Sequence, residues 1–186
     1  MGEVRGRVPL VRFAAIVYGA IAAAAVGWNG WAGRPIAYLD PAAAAAGVRW
    51  GRDLGLGLAC AGAVIAVSRL VTVRTGWGAA LARELARALG PLTLAECAVL
   101  AALSGFAEEA LFRGALQPRI GWLGASVAFG LAHVAPRRAL LPWTGFALVA
   151  GLALGALFAS TGNLVAPIAA HTAINAVNLR WLTRPR

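Results

Sequence analysis

Long apolar runs, separated by short stretches that hold arginine, glycine and proline, make up most of the chain. Most runs approach the ~20 apolar residues that a helix needs to cross a bilayer. The pattern predicts spanning helices over 10–28, 54–73, 93–117, 121–136, 140–160 and 164–183. The predicted fold is therefore all-α: a polytopic transmembrane helix bundle of about six spans. It occupies residues 1–186 as a single membrane domain.

Residues 74–92 follow a different pattern from the spans on either side. Leu81, Leu85 and Leu89 recur on one helical face, and Arg83 and Arg87 lie on another. A helix with one apolar and one basic face lies in the membrane interface. We therefore expect an interfacial amphipathic helix between the second and third spans.

The first apolar run, 10–28, has two interpretations. It follows Arg5, Arg7 and Arg12, and a basic start before an apolar stretch is also typical of a secretory signal peptide. The run is long enough to cross a bilayer, so an uncleaved first span is the favoured interpretation. The cleaved alternative stays open.

Composition agrees with a membrane protein. The chain is 60% hydrophobic and 13% charged, whereas a soluble domain carries roughly 25% charged residues. The net charge of +10 comes from 17 arginines without lysine. These arginines form short clusters between the apolar runs, not the continuous basic face of a nucleic-acid-binding domain. We expect the lipid bilayer, and no nucleic acid, as a partner.

The arginines also predict the orientation of the chain. With about six spans and a cytoplasmic amino terminus, twelve fall on cytoplasmic segments, four on the other side and Arg113 within the membrane. This asymmetry obeys the positive-inside tendency, so both termini are predicted to be cytoplasmic. An alanine- and arginine-rich chain without lysine is typical of a GC-rich bacterial genome, which indicates a bacterial inner membrane.

Chemistry is concentrated in a few polar residues of the later spans. The chain has seven acidic residues, and two of them, Glu108 and Glu109, are adjacent within the stretch FAEEALFRGALQ. A charged side chain at the bilayer centre costs roughly 2.5–3.5 kcal/mol and tends to be functional. The other candidates in these spans are Arg113, His133, His171, Asn175 and Asn178.

Spacing assigns partners to these residues. Glu109 and Arg113 are four residues apart and share a helix face, whereas Glu108 lies about 100° around the helix and faces a neighbour. If spans three, four and six meet, Glu108 joins the histidines and Asn175 in one cavity. A carboxylate and a histidine can then activate water, and a histidine and an amide can stabilise an oxyanion. This combination indicates amide hydrolysis.

Each feature also has a purely structural explanation. An intramembrane Glu–Arg pair can simply hold helix register, and a lone histidine on an apolar face is more often a core residue than a catalyst. The combination favours function, because the titratable groups away from the ends of the later spans all fall into this one set. Residue counts from the span ends place Glu108 and His171 between mid-membrane and the outer side. They do not decide to which face the site opens.

Three motifs on separate spans resemble those of the CPBP intramembrane proteases. This family comprises the CAAX prenyl endopeptidases and bacteriocin-processing proteins and is also called Abi. EExxxR is present as Glu108-Glu109-Ala-Leu-Phe-Arg113, FxxxH as Phe129-Gly-Leu-Ala-His133, and HxxxN as His171-Thr-Ala-Ile-Asn175. The resemblance covers about residues 93–180, the expected catalytic core.

The resemblance implies a role for each matching residue. Glu108 and His133 would activate the attacking water, and His171 and Asn175 would form the oxyanion site. The supporting residues would be Glu109, Arg113 and Phe129. Asn178 lies outside the motif, and we expect no role for it.

Metal dependence has two interpretations. Glu108, His133 and His171 match the three protein ligands of a zinc site that keeps one position for water. The family was first described as metalloproteases, yet its members also resemble glutamate-type proteases that need no metal. Because the asparagine beside His171 favours an oxyanion role, a reaction without metal or other cofactor is the favoured interpretation.

The sequence therefore predicts an intramembrane endopeptidase that acts on a membrane-tethered or lipid-modified protein or peptide. Family members process prenylated tails, bacteriocin-type leaders or C-terminal sorting segments. For a bacterial chain we expect sorting tails or peptide precursors. The alternatives are a proton-linked transporter, since buried carboxylates and histidines also relay protons, and a non-catalytic membrane binding or immunity protein.

Overall fold

The structure, a computed structural model, describes residues 8–135 and 137–184. Within these ranges the regular secondary structure is helical, with an isolated β-bridge between Tyr38 and Asn163. The elements in chain order are α1 Val8–Trp31, α2 Pro41–Ala46, α3 Trp50–Arg74, α4 Gly76–Leu89, α5 Leu94–Glu109, a π-helical segment Ala110–Leu116, α6 Gln117–Ala132, a 3-10 turn Arg138–Leu140, α7 Leu141–Thr161 and α8 Val165–Thr183. Arg5, Arg7, Pro136 and Arg186, which entered the sequence-based layout, lie outside the described residues.

Predicted and observed helices agree best in the last two runs, where 140–160 and 164–183 correspond to α7 and α8. The third and fourth runs differ, because α5, the π segment and α6 follow one another without a loop. Pro118 does not interrupt them, since it stands in the first turn of α6, where a helix tolerates proline. The chain instead changes direction at Gly121, whose φ of 77° is accessible to glycine.

The number of membrane spans is only partly determined. Three helical stretches of the described chain are long and apolar enough to cross a bilayer: Leu10–Trp31, Trp50–Arg74 and Arg138–Thr161. A fourth is added if α4 and the continuous helix Leu94–Ala132, which are bent by 101°, form one broken span. The all-helical membrane protein is thus confirmed. The layout of about six spans and the interfacial position of α4 stay predictions.

Helix α8 lies at the centre of the bundle, packed against both α3 and α5, while α6 packs on α7 and α1 on α5. Small residues permit these close approaches. A Cβ atom on Gly57 of α3 would lie 2.5 Å from the carbonyl oxygen of Ala166 in α8. A Cβ atom on Gly105 of α5 would lie 2.4 Å from the Thr172 hydroxyl. The backbone of α8 therefore approaches α3 and α5 at positions where a larger residue does not fit.

A buried polar cluster holds the start of α8. The Asp53 carboxylate in α3 is 1% exposed and accepts hydrogen bonds from the Arg49 backbone N–H and from Asn163 Nδ2 at 2.8 Å. Asn163 Oδ1 in turn accepts from the Val165 backbone N–H at the first residue of α8. Gly162, with φ 74°, forms the tight turn that ends α7. The cluster fixes where α8 begins and thereby the height of its polar residues.

We predict that Gly57→Ala destabilises the bundle by about 1–3 kcal/mol, because the added methyl group overlaps the Ala166 carbonyl and forces α3 away from α8. The matched control is Gly55→Ala on the same helix, where a Cβ atom meets nothing within 4 Å. This change should stabilise α3 by roughly 0.5–1 kcal/mol. Thermal unfolding in detergent measures both variants. Equal midpoints would show that the α3–α8 approach is not tight.

Candidate active site

Glu109 connects three parts of the bundle. Its side chain is fully buried, and its Oε1 atom accepts hydrogen bonds from Arg113 Nη1 at 2.9 Å and His171 Nδ1 at 2.7 Å. Arg113 Nη2 also donates to the Gly151 carbonyl of α7 at 2.9 Å. The pairing of Glu109 with Arg113 that the spacing predicts is therefore present. The contact with His171 was not predicted, because helical spacing says nothing about a partner on another helix.

The spacing arguments assumed a regular α-helix, but the last part of the predicted third span, 93–117, is not one. Ala110–Leu116 is π-helical, and such segments are frequent at functional sites. The Gly114 carbonyl accepts a hydrogen bond from Asn29 Nδ2 of α1 at 2.9 Å. On the opposite side, Gln117 Nε2 donates to the Gly155 carbonyl of α7. Polar contacts with two neighbouring helices thus stabilise the wider turn.

Arg113 is 1% exposed, and its positive charge has three kinds of partner. Besides the Glu109 carboxylate and the Gly151 carbonyl, its guanidinium lies 4.5 Å from the centre of the Phe129 ring. A cation over an aromatic face is stabilised by the ring quadrupole. Phe129 therefore contacts the buried arginine as well as His133, whose ring centre is 4.5 Å from its own.

Glu108 faces away from this pair, as its position on the helix predicts, and approaches His133 at the end of α6. Its Oε2 atom lies 3.6 Å from His133 Nε2, which is too long for a direct hydrogen bond. Oε2 is buried and has no hydrogen-bond partner among the described residues. His133 Nδ1 lies 2.7 Å from the Phe129 carbonyl, which can only accept. Nδ1 therefore carries the proton, and in the neutral ring Nε2 is left as an acceptor.

Asn175 lies one turn beyond His171 on α8. Its Nδ2 atom donates a hydrogen bond to the Ser104 hydroxyl of α5 at 2.9 Å. An amide nitrogen has two N–H donors, so this contact orients the amide and leaves the second donor free. Ser104 was not singled out from the sequence. Its position, four residues before Glu108 on the same helix, is the signal that identifies it.

One cavity of about 480 Å³ brings these side chains together. The four predicted catalytic residues line it: Glu108, His133, His171 and Asn175. It also contacts Tyr18 of α1 and Asn178 of α8, and it reaches Leu10, Leu89 and Leu182. These three lie towards the start of α1 and the ends of α4 and α8. Counting residues from the predicted span ends did not show that the cavity extends towards these helix ends.

Tyr18 is the second residue that sequence reasoning missed. Its side chain lines the same cavity as Glu108, and its ring packs beside Ala14 and Leu100, where α1 meets α5. The available signal was weak. Tyr18 is the one hydroxyl-bearing residue of the run LVRFAAIVYGAIAAAAVGW, in a segment outside the three motifs.

The described side chains give limited information on a metal. Among residues 8–135 and 137–184, no group of three His, Cys, Asp or Glu side chains is arranged to hold a metal ion. Glu108 Oε2 and His133 Nε2 lie 3.6 Å apart, and His171 Nδ1 contacts Glu109, which leaves the other ring nitrogen of His171 uncommitted. A reaction without metal stays a prediction.

Comparison with known proteins agrees with the motifs. Residues 90–177 match the family model described as type II CAAX prenyl endopeptidase Rce1-like, which confirms the resemblance to the CPBP proteases. The uncharacterized protein YpbD of Bacillus subtilis (strain 168) is 44% identical over 80 residues. That match covers 42% of this chain and 41% of the relative's length. No solved structure matches the chain significantly.

We predict that Glu109→Gln destabilises the protein by about 3–5 kcal/mol, because it leaves the Arg113 charge buried without its counterion. The control is Glu84→Gln on α4, which breaks the solvent-exposed pair with Arg87 and costs less than ~1 kcal/mol. Accumulation in membranes and the midpoint of thermal unfolding measure both. Similar midpoints for the two variants would contradict a stabilising role of the buried pair.

Proposed function

We propose that this protein is an intramembrane endopeptidase that uses Glu108 as its general base, since residues 90–177 match the model of the Rce1-like type II CAAX prenyl endopeptidases. The observation that carries the proposal is the unpartnered Oε2 atom of Glu108, buried opposite the acceptor nitrogen of His133. The match covers about two fifths of YpbD. The reaction is therefore argued from the side chains of this chain.

The first step is the activation of water. A water molecule beside Glu108 Oε2 and His133 Nε2 can donate one hydrogen to each, and its lone pair then points at the scissile carbonyl carbon. Glu108 takes a proton as the water oxygen attacks. The hydrogen bond from His133 Nδ1 to the Phe129 carbonyl keeps the ring in the tautomer that accepts at Nε2.

The second step is the stabilisation of the oxyanion that forms on the carbonyl oxygen. The free N–H of Asn175 Nδ2 is one donor. His171 is the other when both ring nitrogens carry a proton, so that Nε2 donates to the oxyanion while Nδ1 donates to Glu109. Donors aimed at developing charge in a water-poor site are usually the largest contribution to such catalysis.

The last step separates the products. Glu108 returns its proton to the leaving nitrogen, the C–N bond breaks, and a carboxylic acid and an amine form from the peptide bond and one water. We propose that the substrate is a membrane-tethered or lipid-modified protein or peptide, such as a C-terminal sorting tail or a peptide precursor. The apolar wall of the cavity, which includes Leu85, Leu89 and Leu182, supports an apolar substrate segment.

The topology proposed for this enzyme keeps about six spans, an interfacial α4 and two cytoplasmic termini in a bacterial inner membrane. In that orientation the cavity extends towards the cytoplasmic end, since it is lined by the start of α1, by α4 and by the end of α8. The arginines of these segments, such as Arg83, Arg87 and Arg180, support this orientation.

We predict that Glu108→Gln abolishes cleavage while the protein still accumulates, because the amide keeps the shape of the side chain and cannot accept the proton of water. Mass spectrometry compares protein termini in membrane and surface fractions of native cells and of cells carrying the variant. Defined product termini should disappear and longer precursors should appear. Glu84→Gln is the control with unchanged termini. Unchanged termini in Glu108→Gln would contradict a protease and favour transport or binding.

We also predict that the activity does not depend on zinc, because no three of the described His, Cys, Asp and Glu side chains are arranged to hold a metal ion. Treatment of the purified enzyme with a zinc chelator followed by dialysis should leave its turnover unchanged, and elemental analysis should find zinc well below one equivalent per chain. Loss of turnover that added zinc restores would contradict this mechanism.

A further inference from the structure

Ser104 supplies a buried hydroxyl on the helix that carries Glu108. It lies in α5, is 5% exposed and lines the cavity of the candidate site. Its Oγ atom donates a hydrogen bond to the Ala101 carbonyl, one turn earlier in the same helix, at 3.3 Å. A hydroxyl has one proton to donate. This contact therefore leaves the Ser104 oxygen as an acceptor.

The donor that this oxygen accepts is the Asn175 amide of α8. Asn175 Nδ2 donates to Ser104 Oγ at 2.9 Å. Because the hydroxyl proton is already directed to a carbonyl, the serine pairs with the nitrogen end of the amide and not with its oxygen. The contact therefore selects one of the two orientations of the amide, which a half-turn of the side chain exchanges.

A close approach of two helices makes this contact possible. Gly105 follows Ser104, and a Cβ atom there would lie 2.4 Å from the Thr172 hydroxyl and 3.1 Å from the Thr172 backbone nitrogen. Thr172 lies between His171 and Asn175 in the HxxxN stretch of α8. A serine side chain is short, and it reaches Asn175 because the backbones of α5 and α8 approach closely beside it.

We propose that Ser104 is a positioning residue for Asn175, which keeps an N–H group of the amide available to the oxyanion. This inference rests on the proposed protease function. Without the serine hydroxyl, the amide can rotate and present its carbonyl oxygen to the developing negative charge, which that oxygen repels. Fewer enzyme–substrate complexes would then have Asn175 as a donor. The chemical step depends on that fraction, whereas binding of the uncharged peptide bond does not.

The test is a double-mutant cycle of Ser104→Ala and Asn175→Ala, which measures whether the serine acts through the amide. The matched control is Ser126→Ala in α6. Ser126 is also a buried serine, 1% exposed, whose Oγ donates to a carbonyl of its own helix at 2.8 Å. Unlike Ser104, it pairs with no other side chain in the described part of the chain.

The probe is the precursor segment identified by the comparison of termini, synthesised as an internally quenched peptide. Wild type, the single and double variants, the control and Glu108→Gln are assayed in detergent. Rates are normalised to the folded, monodisperse fraction, which separates a slower reaction from a destabilised bundle.

We expect Ser104→Ala to lower kcat on the order of ten-fold, less than the roughly 10²–10³-fold loss expected for Asn175→Ala, which removes the oxyanion donor itself. KM should stay within about two-fold in Ser104→Ala, because uniform binding is not affected. In the Asn175→Ala background, adding Ser104→Ala should change kcat by less than about two-fold, because no amide is left to orient. Ser126→Ala should match wild type in both constants.

Other outcomes overturn the proposal in recognisable ways. If Ser104→Ala matches wild type while Glu108→Gln is inactive, the protease function stands and the positioning role is wrong. If Ser104→Ala lowers kcat equally with and without Asn175, the serine does not act through the amide. If it raises KM and leaves kcat unchanged, Ser104 binds substrate. If wild type cleaves no peptide and no precursor is found, the proposed function itself fails.

Discussion

The buried Glu109 carboxylate is the interaction on which the arrangement of the site depends. Arg113 is 1% exposed, and a positive charge in that position requires a counterion. Glu109 supplies it, and the same oxygen atom also receives His171 Nδ1. Because Arg113 also donates to Gly151 of α7, one carboxylate determines how α5, α7 and α8 pack. The catalytic arrangement and the stability of the bundle therefore have a common origin.

The two adjacent glutamates divide two tasks that one residue cannot perform. Glu109 is paired through Oε1 with both Arg113 and His171, which suits a structural anion, and its buried Oε2 atom has no hydrogen-bond partner among the described residues. Glu108, turned about 100° around the helix, keeps one oxygen without a partner and faces His133. Two side chains of α8 are arranged in a similar way. Glu109 binds one ring nitrogen of His171, and Ser104 accepts one N–H of the Asn175 amide. The second ring nitrogen of His171 and the second N–H of Asn175 are left free.

Helical periodicity accounts for what could be predicted. A period of 3.6 residues relates Glu109 to Arg113 and His171 to Asn175, and long apolar runs mark α3, α7 and α8. It cannot show the π-helical segment, which is stabilised by Asn29 of α1 and by backbone carbonyls of α7. It also missed the continuity of α5 with α6, because Pro118 and Arg119 resemble a loop. Tyr18 lines the same cavity as Glu108 but lies some ninety residues away in sequence and outside the three motifs.

By itself, the sequence determined that this is an all-helical membrane protein with a cluster of costly polar residues in its later helices. Burial of charge in an apolar chain is unfavourable enough that those residues had to face one another. Only the tertiary structure decided which atoms meet: Glu109 with His171, and Ser104 with Asn175. Spacing constrains residues on one helix, whereas contacts between helices depend on where small residues such as Gly57 and Gly105 let the backbones approach.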